Sequence, residues 1–199
     1  MENLYKINQL QIELVMCWHH QTPQVKLNGF LGLVENQHMQ NFLLWHEEDI
    51  ARAPDVNDQE IARVKRCIDR FNQLRNDLIE KIDEEILKFL HEGGISSNPN
   101  CALNSETPGS MIDRCSIMAL KIYHMKEQVQ RKDVDEQHLA DSSEKVRILE
   151  IQRNDLFGCL YQLIKDVSEG RRRFMLYRQY KMYNDPTLNP KIYQAGIRQ

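Results

Sequence analysis

Apolar residues recur every three or four positions along most of the chain, and glycine and proline fall where that rhythm breaks. This pattern predicts helices joined by short turns. A first helix is expected from about Leu4 to His20, with Ile7, Leu10, Leu14, Val15 and Trp18 on one stripe and Thr22-Pro23 as its stop. A second runs from Leu27 or Gly29 to Ala53 and ends at Pro54. Asn57, with Glu60 three residues on, resembles a capping box opening a third helix that reaches His91. Its apolar positions, from Val64 through Phe71 and Ile82 to Phe89, keep bundle-like spacing over a length of about 50 Å. Gly93-Gly94 ends it, and residues 96–106 read as a loop.

Thr107-Pro108-Gly109 has the form of an N-cap followed by proline at the first helical position. The fourth helix, Pro108 to Arg131, is apolar on most of its circumference and is expected at the centre. A fifth is expected from Val134 to Glu169, before Gly170. A shorter basic helix from Arg171 to Tyr183 is stopped by Asn184-Asp185-Pro186. The fold class is therefore all-α: an antiparallel bundle of about five helices forming one domain over residues 1–199. Residues 171–199 make a basic, aromatic, helical C-terminal extension.

Composition adds limits. The chain has 199 residues, 41% hydrophobic and 28% charged, which describes one folded domain with a real core. No apolar run approaches the roughly 18 residues a membrane helix needs, and the N-terminus lacks the features of a signal peptide. A cytoplasmic protein without membrane insertion is expected. The five cysteines are dispersed and show no Cys-x-x-Cys pair, so they read as reduced, partly buried side chains. Net charge is −3, but residues 171–199 hold seven basic residues and one acidic, +6, which leaves −9 on the first 170. Such a tail pairs with the body or offers itself to a protein partner. Nucleic acid is not expected, because phosphate-driven binding needs a broader basic face.

The chemistry concentrates on the second helix. At about 100° per residue, Glu35, His38, Asn41, Phe42, Trp45, His46, Asp49 and Arg52 share one arc. Apolar residues occupy its other faces, so the arc faces a cleft or the interior, where polar groups need partners or a ligand. Three readings stand: a satisfied structural network, a small-molecule pocket and a metal site. Histidine beside aspartate suits general acid/base work and arginine suits phosphate or carboxylate. Glu35-x-x-His38 and His46-x-x-Asp49 have metal-ligand spacing, but Arg52 on the same arc argues against a cation, and no metal ligand is assigned. Glu80 and Asp83 on the third helix lie opposite its apolar stripe and read as a solvated face, whereas Arg75 falls within the stripe.

The fourth helix supplies a second wall. Asp113, Arg114, Lys121 and His124 stand out on an apolar background, and the first amides of this helix, around Thr107 and Gly109, form a natural anion site. His38, His46, Asp49, Asp113 and His124 are thus the candidate acid/base or orienting groups. Asn41, Trp45, Arg52, Arg75, Thr107, Gly109, Arg114 and Lys121 are the candidate ligand contacts. No cofactor is identified.

Four blocks carry a family resemblance. They are Asn41-Phe42-x-Leu44-Trp45-His46-x-Glu48-Asp49-x-Ala51-Arg52, Ile68-Asp69-Arg70-x-Asn72-Gln73-x-Arg75-Asn76-Asp77, Asn104-Ser105-Glu106-Thr107-Pro108-Gly109 with Asp113-Arg114, and Tyr177-Arg178-Gln179-Tyr180-Lys181-Met182-Tyr183-Asn184-Asp185-Pro186. Together they resemble a bacterial family of unknown function, with Cys115 standing where leucine is expected. The resemblance implies members of similar size, often encoded near enzymes of cell-surface polysaccharide synthesis, and brings no catalytic residue. The expected function is binding or modification of a phosphorylated sugar or nucleotide sugar. A non-catalytic accessory protein that docks a glycosyltransferase or another partner, and a metal-dependent hydrolase, remain the alternatives.

Overall fold

A computed structural model describes residues 2–95, 98–180, 182 and 185–194. Five long helices dominate: α1 (Glu2–Trp18), α2 (Gly29–Arg52), α3 (Asp58–Glu92), α4 (Pro108–Val129) and α5 (Glu136–Ser168). Two-residue strands β1 (Ala102–Leu103) and β2 (Arg172–Arg173) and a short α6 (Pro190–Tyr193) complete the order. The expected helical bundle is present. No helix among the described residues is long and apolar enough to cross a membrane.

The helix starts follow local chemistry. Asn57 accepts the backbone N–H of Glu60 at 2.9 Å, and Asp135 accepts that of His138 at 2.8 Å. Thr107 and Ser110 form a reciprocal capping box with Pro108 at the first turn. α2 has no side-chain N-cap; instead the buried Glu35 carboxylate accepts the N–H groups of Lys26 (3.0 Å) and Leu27 (2.7 Å) in the preceding segment. Glu35 is therefore a structural anchor.

α2 packs along α3, and α4 along α5, as two helical hairpins, with α1 against α2 and α4. One apolar cluster joins Ile7, Val34, Ile82, Ile112, Cys115, Leu160 and Phe174; a second joins Val15, Trp18, Phe42, Ala119 and Leu120. α4 contributes to both, and its approach to α3 depends on Gly109. A Cβ there would lie 2.6 Å from the Ile79 carbonyl oxygen and 2.9 Å from the Asp83 carboxyl group.

The expected helix from Arg171 to Tyr183 is corrected. Gly170, at φ 71°, ends α5, and Arg172–Arg173 then pair in parallel with Ala102–Leu103. Residues 174–180 follow without helix, while 181, 183 and 184 lie outside the described residues. Three contacts outweigh helix propensity here. Phe174 enters the core, Arg171 reaches Asp166, and Arg178 spans Glu80 (2.9 Å) and Glu84 (2.6 Å) on α3. Such tertiary partners override a weak local preference.

Phe174→Ala is expected to lower the unfolding free energy by about 3 kcal/mol, as deletion of a buried ring does. Tyr177→Ala, on an exposed side chain, is expected to stay within about 0.5 kcal/mol. Urea denaturation of both variants measures the difference.

Candidate functional site

The polar residues of α2, α3 and α4 converge on Asp113 of α4, a buried carboxylate 5% exposed. Its Oδ1 accepts from Gln37 Nε2 at 2.5 Å and Asn41 Nδ2 at 2.9 Å, and Arg75 Nε stands 3.4 Å away. Burial raises its carboxyl above the ordinary range, while the Arg75 charge and the Asn41 hydrogen bond pull it back. Next to it, Ser116 Oγ meets His38 Nδ1 at 2.6 Å and accepts from Asn41 at 2.8 Å. Burial depresses His38 to about 3, so the ring is neutral, tilted against Trp18 at 5.2 Å between centroids.

A second buried charge supports this junction from behind. Arg153 on α5 donates to the Cys115 carbonyl (3.2 Å), the Asn8 carbonyl (3.0 Å) and Gln11 Oε1 (3.2 Å). Burial lowers its guanidinium to about 10. Gln11 in turn donates to the Ile112 carbonyl at 3.1 Å. Sequence reasoning missed Arg153, although it sits four residues before Phe157 and seven before Leu160 on the apolar stripe of α5. A cation on such a stripe was the available signal.

In front of the junction, a cleft of about 410 Å³ opens between α2, α3 and α4. Asn41, Trp45, Asp49 and Arg52 of α2 line it, with Arg75 of α3 and the α4 residues Ile117 and Leu120. Arg52 is exposed and bound to Glu48 at 2.8 Å. Arg75 is seated deeper, its side chain 23% exposed, between the cleft and Asp113.

His46 and His124 take another direction. They meet His19, which follows α1 and was read from sequence only as part of a helix end; one donor atom of each ring lies within 4.8 Å of the others. His19 Nδ1 is 2.7 Å from the Val15 carbonyl, and His124 Nδ1 is 2.7 Å from the Glu127 carboxylate. Tyr123 stacks on His19 at 3.9 Å, Trp45 stacks on His124 at 4.9 Å, and Phe42 lies against His46 at 4.5 Å. Burial and then the neighbouring His19 and His124 lower His46 below its ordinary value, against the opposing influence of Asp49 and Glu127.

The second wall expected from α4 divides. Arg114 pairs with Glu106 through both carboxylate oxygens (2.7 and 2.8 Å) and, with Lys121, lines a separate groove against α5. The first turn of α4 is not an open anion site: the Gly109 N–H donates to Asp83 Oδ1 at 2.6 Å, and Thr107 is engaged with Ser110. This also corrects the solvated-face reading of Asp83, which is 2% exposed; Glu80 receives Arg178. Asp83 is covered because glycine at 109 lets the start of α4 close over that side of α3. The arc on α2 therefore serves three neighbourhoods: the sealed junction at Asp113, the cleft at Arg75 and the histidine trio.

Residues 31–176 match the family described as "Protein of unknown function (DUF4254)", and the chain belongs to that family. The matched span includes the junction, the cleft, His46 and His124; His19 and residues beyond 176 lie outside it. No curated protein and no solved structure matches the chain.

Burial is the largest influence on Asp83 and raises it to about 6, although hydrogen bonds from Thr107 and Gly109 oppose the rise. An unfolded aspartate titrates near 3.9, so between about pH 4 and 6 the folded state binds more protons and stability falls as pH rises. A decline of up to about 3 kcal/mol across that window is expected. Asp83→Asn, which keeps an acceptor for Gly109, should flatten it. Unfolding free energies measured at several pH values test both statements.

Proposed function

We propose, from a family that brings no activity with it, that this protein binds a phosphorylated sugar or nucleotide-sugar intermediate in the cleft between α2, α3 and α4. The observation that carries this reading is the convergence of Arg75, Asn41, Trp45 and Asp49 on one cleft. A guanidinium suits a phosphate through paired hydrogen bonds, and Arg75 is oriented from behind by Asp113. Carboxylates of Glu48 and Asp49 accept from sugar hydroxyls, and the Trp45 indole offers an apolar wall.

Volume narrows the ligand. At about 410 Å³ the cleft sits near the lower end of the roughly 300–1,000 Å³ typical of small-molecule sites. A hexose phosphate enters whole, whereas the nucleotide half of a nucleotide sugar extends along the Arg52 rim. The same geometry favours binding over turnover. Of the candidate acid/base residues only Asp49 lines this cleft; His38 is sealed on Ser116, Asp113 is spent on three partners, and His46 and His124 face each other. The proposed setting is the cytoplasm, with a link to cell-surface polysaccharide synthesis that the family resemblance implies.

A second reading, an accessory protein that docks a partner through residues 171–199, is favoured by one observation. While Arg178 is held on α3, Tyr180 and Met182 remain 83% and 58% exposed. A thermal-shift screen with hexose 1-phosphates and uridine diphosphate sugars separates the two. The cleft reading expects a rise in Tm with a hexose phosphate, and about tenfold weaker binding in Arg75→Lys, which keeps the charge but loses the paired donors. Arg114→Ala, in the separate groove, should bind normally. Silence from every ligand, or loss of binding in Arg114→Ala with Arg75→Lys unaffected, overturns it.

A further inference from the structure

We propose that His19, His46 and His124 form a binding site for one divalent transition-metal ion of the zinc class. The site joins the end of α1 to α2 and α4, and it stands independently of any ligand in the cleft.

Geometry carries the argument. One ring nitrogen from each histidine lies within 4.8 Å of the other two. Nitrogens on a tetrahedral zinc ion are about 3.3 Å apart, since each sits at about 2.0–2.1 Å, so small side-chain rotations bring the three onto one ion.

Proton placement supplies the second, independent observation. The Val15 carbonyl can only accept, so His19 carries its proton on Nδ1 and presents a lone pair at Nε2. The Glu127 carboxylate fixes His124 in the same way. Both Nε2 atoms are buried, and no donor among the described residues meets either of them. Buried acceptors without partners are costly, and a cation satisfies both at once. A histidine whose outer nitrogen is held by a carbonyl or a carboxylate is also the usual support for a metal ligand.

The surroundings fit the ion. An all-imidazole set selects zinc, copper or nickel over magnesium or calcium, which prefer oxygen. Phe42, Tyr123 and Trp45 provide an apolar shell that restricts ring movement. Arg52, whose charge argued against a cation from sequence, is occupied by Glu48 and lines the cleft. Asp49 and Glu127 act electrostatically on His46 and offset the positive charge. Three protein ligands leave a further coordination position to water, as in open rather than closed zinc sites.

The test uses the full chain, treated with chelator and dialysed. Calorimetric titration with zinc chloride should give one equivalent bound, micromolar or tighter, with a raised Tm. Cobalt(II) in place of zinc should give the intense visible bands of a tetrahedral site. His46→Gln and the double variant His19→Gln/His124→Gln should lose binding by about 100-fold or more, with unchanged circular dichroism. Glu127→Gln removes the carboxylate that holds His124 and acts on His46, and it sits on an exposed side chain, so it folds regardless; it should weaken binding about tenfold. His20→Gln, an exposed neighbour outside the trio, should change nothing. Absence of heat and Tm shift with excess zinc overturns the proposal. So does stoichiometric zinc retained in the double variant, or binding lost in His20→Gln.

Discussion

A carboxylate inside a helical bundle must be met by donors or it destabilises the fold by several kcal/mol, and Asp113 imposes that requirement on three helices at once. Gln37 and Asn41 fix α2 and Arg75 fixes α3, because each has to reach the same oxygen. Sliding either helix by one turn, about 5.4 Å, would leave the carboxylate stranded. A few residues away on α4, the Ile112 and Cys115 carbonyls receive Gln11 from α1 and Arg153 from α5. Hydrophobic burial brings the five helices together without specifying their axial registration. The polar residues around 112–116 specify it, and the cleft at Arg75 is a by-product of that registration.

The helices were legible because their apolar stripes are long and their ends are chemically marked, by Pro54, Gly93-Gly94, Pro108 and Gly170. The tail was not. Arg171 to Tyr180 has ordinary helix formers, and nothing local announces that Phe174 has a core position waiting or that Ala102–Leu103 offers a pairing edge. The arc on α2 was legible as an anomaly but not as three sites. A wheel orders residues around one axis and says nothing of which neighbour faces each sector. His38 and His46 thus share an arc and part company in space. His19 carried no periodic signal at the end of its helix, and Asp83 looked solvated because the cover over it depends on a missing side chain at 109.

Trp45 gives the two open neighbourhoods a common wall. Its indole lines the cleft and also lies parallel to His124, 7° off plane. The cleft holds the guanidinium groups suited to an anion, and the trio holds imidazole nitrogens suited to a cation. Segregation of the two kinds of chemistry on either side of one aromatic partition explains why the polar residues of α2 resisted a single assignment.

Gly109 and Asp83 have a consequence for how α4 is seated on α3. Position 109 tolerates no side chain because the Ile79 carbonyl and the Asp83 carboxyl group occupy the space, and Asp83 is worth burying only while position 109 presents its amide. A Cβ at 109 must displace α4 from the Ile79 carbonyl of α3, and the amide that meets the buried Asp83 moves with it. The seating of α4 on α3 and the burial of Asp83 are therefore one structural event, held by an atom that is absent.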